Sequence, residues 1–209
     1  CVAQNGSRGG WGAGAADAGW SPGGPCLQAN LPQIRLEPIL KARAEALSPG
    51  RVRFHHEVVA FEQDDGGVTA TVHDKDADRE YTVRARYLLA CDAGRTVGPK
   101  LGVSLEGPRD IMRIISVYMT ADLSRWAIDP DVLIRWLWIP SRVVLATLVP
   151  MGPDHWGPRS EEWVFHLNYE NADTRSLDDA YVVETMREVL GIPELEAKVH
   201  VVSRWSMEG

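Results

Sequence analysis

Arg86-Tyr-Leu-Leu-Ala-Cys-Asp-Ala-Gly-Arg-Thr-Val-Gly-Pro-Lys-Leu-Gly-Val103 holds the strongest structural signal in the chain. Its apolar run, Tyr87 to Cys91, has the length of a strand and is continuous enough to be buried on both faces. The run ends at Asp92, and Ala93 and Gly94 follow, so the strand is expected to stop in a tight turn with an acid at its carboxyl end. Open α/β sheets bind ligands in the crevice formed by such strand ends and turn amides. A strand closing on Asp-x-Gly is also an ordinary connection between elements, and the motif alone does not choose between the two.

Working backwards, Tyr81-Thr-Val-Arg-Ala85 leads into this run as a strand, preceded by a charged turn from Asp74 to Glu80. Val68 to Val72 and residues 51–61 read as two more strands, joined by the hairpin signal Asp64-Asp-Gly-Gly67. In the strand over 51–61, Val52 and Phe54 share a face, and the adjacent His55 and His56 point to opposite sides, which argues against a shared metal. Before the meander, Leu36, Ile39, Leu40, Ala44 and Leu47 follow helical spacing. Asn30 and Pro32 precede that helix, Pro38 is placed in its first turn, and Ser48-Pro49-Gly50 ends it. Gln33 and Arg35 fall at its amino end, where side chains and free amides can meet an anion, although both also read as ordinary solvated residues.

Residues 5–25 carry eight glycines among Asn, Ser, Asp and Pro. A segment so poor in apolar side chains cannot offset its ordering entropy, so residues 1–25 are expected to be loop. Gly10-Trp-Gly-Ala-Gly14 looks superficially like a phosphate loop, but no strand precedes it and no amphipathic helix follows directly, so it is set aside.

Beyond Gly107-Pro108, four strands are expected over Ile111 to Met119, Val132 to Ile139, Val143 to Val149 and Trp163 to Tyr169, with Pro140-Ser141-Arg142 as a short hairpin connection. Trp136, Trp138, Trp163, Phe165 and Tyr169 alternate with other residues, so each strand offers one aromatic face, either as core or as the wall of a pocket for a flat ligand. Ser176 caps a helix with Ala180, Val183, Met186 and Leu190 as its buried stripe, ended by Gly191 and Pro193. Val199 to Trp205 is a last strand. The expected class is α+β: a partial ligand-binding domain over 26–107, then a mixed or antiparallel sheet domain covered by a helix over 108–209.

Composition agrees with a folded, soluble chain: 209 residues, 44% hydrophobic and 24% charged. A net charge of −7 with scattered basic residues does not favour nucleic acid, and no apolar run approaches the roughly 20 residues needed to cross a bilayer. Cys1, Cys26 and Cys91 make neither a disulfide framework nor a metal-ligand spacing, which suits the reducing cytoplasm, and Cys91 reads as a core thiol. The start at Cys1 and the stop at Ser206-Met-Glu-Gly209 read as cuts within something longer.

Leu31-Pro-Gln-Ile-Arg-Leu-Glu-Pro-Ile-Leu40, the meander, Arg86 to Thr96 and Leu101-Gly-Val103 together resemble the middle of a flavoprotein aromatic hydroxylase. The nearest branch is the phenol and chlorophenol monooxygenases, within the para-hydroxybenzoate hydroxylase group. The resemblance implies an FAD-binding domain interleaved with a substrate domain, with an α/β fold in the intact enzyme. It also implies hydroxylation of a small phenol-like substrate with NADPH (or NADH) and O₂, and a possible homodimer. By the same resemblance Gln33 matches a glutamine contacting the flavin, and Arg35 stands beside it. Val58 falls where backbone packs on the adenine, and Asp92 matches the acid of an Asp-Gly motif tied to FAD and NADPH. No catalytic residue is assigned. His166 and Tyr169 are candidates to polarise a phenol hydroxyl, but a solvent-facing histidine and a core tyrosine are the preferred reading.

Four departures accompany the resemblance. The 209 residues contain no strand–Gly-x-Gly-x-x-Gly–helix to carry the FAD pyrophosphate, and no later Gly-Asp segment. Ala93 stands where the motif has glycine, and the stretch from Arg95 to Leu101 is one residue short, leaving the motif's closing arginine unmatched. The chain by itself is therefore expected not to retain FAD. A non-catalytic β-rich module for apolar ligands is the alternative reading.

Overall fold

The computed structural model describes residues 3–6, 31–104, 106–127, 132, 134–139, 144–169 and 179–208. The chain divides into two units: Gln33–Glu106, and Gly107–Gly209 together with the residues up to Pro32.

In the first unit the helix α1 (Gln33–Leu47) precedes a three-stranded antiparallel sheet of β2 (His56–Asp64), β3 (Gly67–Asp74) and β4 (Arg79–Ala85), with β3 in the centre. The central strand buries Ala70 and Val72, as the alternation requires. The hairpin at Asp64 forms where its Asp-Gly pair places it, and Asp64 accepts the Gly66 amide at 2.7 Å and an Arg84 guanidinium proton. Gly67 has φ 137°, and a Cβ there would lie 2.3 Å from the Ala85 carbonyl oxygen, so only glycine fits. Asp74, an acid that is nearly buried, accepts the amides of Asp76 and Ala77 and closes the β3–β4 turn.

Four expectations for this unit are corrected. The run from Tyr87 to Cys91 is extended but joins no strand, and Tyr87 and Leu89 are 80% and 85% exposed. An apolar run becomes a buried strand only between neighbouring strands, and no described strand flanks this one. Cys91 is correspondingly exposed rather than a core thiol. The strand expected over 51–61 begins only at His56, because His55 takes φ 61° and turns the chain; the two histidines are therefore not successive strand positions. In α1 Pro38 is the sixth residue, and no residue of the helix is buried, so its apolar stripe faces outward. Periodicity marks that face as apolar without supplying what covers it.

The second unit is a six-stranded antiparallel sheet in the order β1-β6-β7-β8-β5-β9. Its strands are β1 (Ala3–Gly6), β5 (Met112–Ala121), β6 (Arg135–Ile139), β7 (Val144–Gly152), β8 (Glu162–Tyr169) and β9 (Ala197–Met207). β1 pairs with β6, so residues 3–6 are strand within the segment expected to be loop. The rest of that segment, including Gly10–Gly14, lies outside the described residues, as do Ser176 and the Pro140–Arg142 connection. The helix α3 (Asp179–Leu190) covers one face of the sheet. Beneath it Val117, Met119, Leu137, Leu148, Trp163, Phe165 and Met186 are at most 3% exposed. The buried side of α3 is Val182, Met186 and Val189; Ala180 is exposed, so the helix is rotated from its expected stripe. It ends as expected at Gly191 (φ 69°), with the Ile192 amide bonded to the Arg187 carbonyl and the Gly191 amide to the Glu188 carbonyl. Between β4 and β5, a short helix α2 (Val97–Lys100) closes the first unit. Among the described residues no helix is long and apolar enough to cross a membrane.

Candidate functional site

Asp92 is the pivot of the turn that leads into α2. Its Oδ2 accepts the amides of Thr96 and Val97 at 2.6 and 2.9 Å, and its Oδ1 accepts the Gly94 amide at 3.1 Å. The Val97 amide, followed by those of Thr96 and Gly94, holds the Asp92 carboxyl below the usual carboxylate range. A group with a depressed folded pKa contributes stability above its unfolded value, about 3.9 for Asp, and that contribution is lost as pH falls through the folded value. Asp92→Asn is therefore expected to destabilise the protein at pH 7, with the gap to wild type closing below about pH 4. Urea unfolding at both pH values measures this, and an equal gap at both would show that the carboxylate does not organise the turn.

Ala93, next to it, has φ 55°, in the left-handed region that costs a side-chain-bearing residue roughly 1–2 kcal/mol. Ala93→Gly relieves this strain but loosens the unfolded chain, for an expected net stabilisation of about 1 kcal/mol or slightly less. An unchanged urea midpoint would show that Ala93 carries no strain.

The neighbouring helix ties this turn to the meander. Lys100 of α2 donates from Nζ to the Val59 carbonyl at 2.7 Å and sits 5.8 Å from the Phe61 ring centroid. Val58 to Ala60 is a bulge in β2, and Val58 itself is half-buried opposite Val72. The Asp92 turn and the Val58 bulge, both singled out by sequence, are thus brought together by a lysine that sequence did not single out. Gln33 is exposed and spends its amide on Glu37 one turn on, whereas Arg35 is half-buried.

The second unit offers a different surface, the sheet face turned away from α3. Alternation puts Ile115, Val117 and Met119 of β5 under the helix and Ser116, Tyr118 and Thr120 on this other face. The register lines up Trp136, Thr147, His166, Ser116 and Ser203 in one row across five strands. Ser116 Oγ lies 2.7 Å from His166 Nδ1 and accepts the indole N–H of Trp205 at 2.8 Å. The Trp205 ring stands edge-on to the imidazole, with centroids 6.4 Å apart. Burial pushes the His166 pKa down, so the ring is neutral at pH 7. Tyr118 on the same face donates to Glu162 and packs against the His200 ring, and Thr120 bonds His200. The aromatic residues do not share one face: Trp163 and Phe165 are core, while Trp136 is in the open row.

Against known proteins, a family profile described as an FAD binding domain matches residues 4–209. The chain belongs to this family of FAD-binding domains. It is similar to 2,4-dichlorophenol 6-monooxygenase of Delftia acidovorans, 31% identical over 189 residues, covering 88% of this chain and 31% of that protein. A putative polyketide hydroxylase of Streptomyces halstedii is also 31% identical, over 90% of this chain and 33% of its own length. Among solved structures, the flavin-dependent monooxygenase PieE in complex with FAD and substrate superposes with a TM-score of 0.75 at 33% identity, covering 86% of this chain and 31% of that one. The chain thus spans about a third of the length of these relatives.

For a chain of this FAD-binding family, the described residues meet FAD only in part. Asp92 has its carboxylate committed to three amides of its own turn, and Gln33 is committed to Glu37. The three amides that could have cradled a phosphate are used within the turn. These residues do not make an FAD site by themselves, and no step of flavin chemistry is assigned to them. Sequence reading also missed the joint role of Ser116 and Trp205. The signal was present in the parity of the strands, since Ser116 and His166 both sit out of phase with the buried Val117 and Phe165.

Proposed function

We propose that this chain is part of an FAD-dependent monooxygenase that hydroxylates a phenol-like aromatic compound with NAD(P)H and O₂. The match to the FAD-binding family over nearly the whole chain carries this reading, with relatives that include chlorophenol and phenol monooxygenases. The sheet face turned away from α3 supports it with a half-buried histidine beside the Trp205 indole, suited to holding a flat ring with a hydroxyl group. In the reading, Gln33, Arg35, Val58 and Asp92 are the chain's share of the flavin site, Asp92 by shaping its turn rather than by direct contact. The protein's part in the reaction is to hold the ring and exclude water, while the cofactor supplies the redox chemistry. A cytoplasmic enzyme, dimeric in solution, belongs to the same reading.

The test is an open reading frame that contains these residues, expressed and purified. Visible flavin absorbance and NADPH oxidation that rises on adding phenol, with a catechol as product, are the expected result. A colourless protein, or a flavoprotein whose NADPH oxidation ignores every phenol offered, would overturn it.

A further inference from the structure

We propose that His166 Nε2 is the hydrogen-bond partner of the ring hydroxyl of a phenolic ligand on the open sheet face, with Ser116 as the positioning residue that holds the imidazole. This deepens the reading above and rests on it for the class of ligand.

The observations converge on one nitrogen. His166 is held through Nδ1 by Ser116, and Ser116 is in turn fixed by the Trp205 indole N–H. Indole N–H is a donor only, so the serine oxygen accepts from Trp205 and keeps a lone pair and its own proton for the imidazole. Either tautomer satisfies the Ser116 contact and leaves Nε2 as the ring's remaining polar atom. Among the described residues Nε2 has no hydrogen-bond partner, although His166 is half-buried. Nε2 is not among the buried atoms without a partner, so it reaches solvent and is accessible to a ligand. A phenol hydroxyl both donates and accepts, so it matches Nε2 in either protonation state of the neutral ring. Trp205, 43% exposed and perpendicular to the imidazole, offers an aromatic surface beside that ring, and Trp136 lies in the same cross-strand row. Of the other ionisable groups of this face, Tyr118, Glu162 and His200 are engaged with each other or with Thr120, and Lys198, opposite Thr120 in the register, is exposed.

The test uses the 209-residue chain and two probes of similar shape, 4-nitrophenol and its methyl ether 4-nitroanisole, followed by equilibrium dialysis. Wild type is expected to bind the phenol about five- to tenfold more tightly than the ether, the size of one net hydrogen bond. His166→Ala should bind both alike, and His166→Gln, which keeps a polar end, should restore part of the preference. Ser116→Ala should weaken the preference while leaving affinity for the ether unchanged. A preference that survives His166→Ala, or wild type that binds neither probe saturably, overturns the proposal. Neither result touches the flavin and NADPH readouts of the longer protein, so failure here and failure of the hydroxylase reading are separable.

Discussion

Titrated with FAD, the 209-residue chain should show no saturable change in flavin fluorescence at micromolar concentrations. Micromolar affinity corresponds to about 8 kcal/mol after the cost of immobilising the ligand. A neutral hydrogen bond contributes a net of about 0.5–1.5 kcal/mol. The residues matched to the flavin site cannot sum to that value, because Asp92 and Gln33 are already bonded within the protein. In dinucleotide folds the pyrophosphate charge is met by amides of a glycine turn and the helix that follows it. Within these residues the amides of the Asp92 turn are satisfied by the Asp92 carboxylate, and α2 is only four residues long. A stoichiometric yellow complex surviving gel filtration would overturn this expectation and place flavin contacts on residues not named above.

The largest stability effect should come from Trp163→Ala. Trp163 is fully buried between sheet and helix, and its indole N–H donates to the Ala121 and Ser160 carbonyls at 3.1 and 2.9 Å. Truncating a buried tryptophan costs about 3–5 kcal/mol through lost transfer energy and the cavity left behind. It also strips both carbonyls of this donor, a further penalty for groups that stay buried. The loss is a large part of the roughly 5–15 kcal/mol that stabilises a domain, so the six-stranded unit should be partly unfolded at 37 °C. Urea unfolding followed by far-ultraviolet circular dichroism reads this directly. A variant within about 1 kcal/mol of wild type would show that the core has collapsed around the gap.

Much of the fold was legible because its signals are local. Alternation identified β5 to β9, the Asp-Gly pair placed the first hairpin, and Gly191 stopped α3 through its left-handed φ. The errors share a cause as well. Tyr87 to Cys91 has the composition of a buried strand, yet pairing depends on which strands lie beside it. Helical spacing in α1 marked an apolar stripe, and α3 turned to bury Val182 and Val189 rather than Ala180. In each case periodicity reported that a face was apolar but not what it packs against.

The same division applies to function. By itself the sequence determined the family, through the Leu-Pro-Gln helix start and the Asp92 turn, and it determined the α+β class and the meander. Those features rest on residue order within short windows, where propensity, turn chemistry and motif spacing act. Only the tertiary structure decided that Ser116 meets His166, 50 positions away, and Trp205, 89 positions away. It also decided that Trp136 belongs to the open face while Trp163 is core. Such meetings depend on the register of strands distant in the chain, and a slip of one residue would send every side chain to the opposite face. That register is set by the packing of the whole sheet against α3.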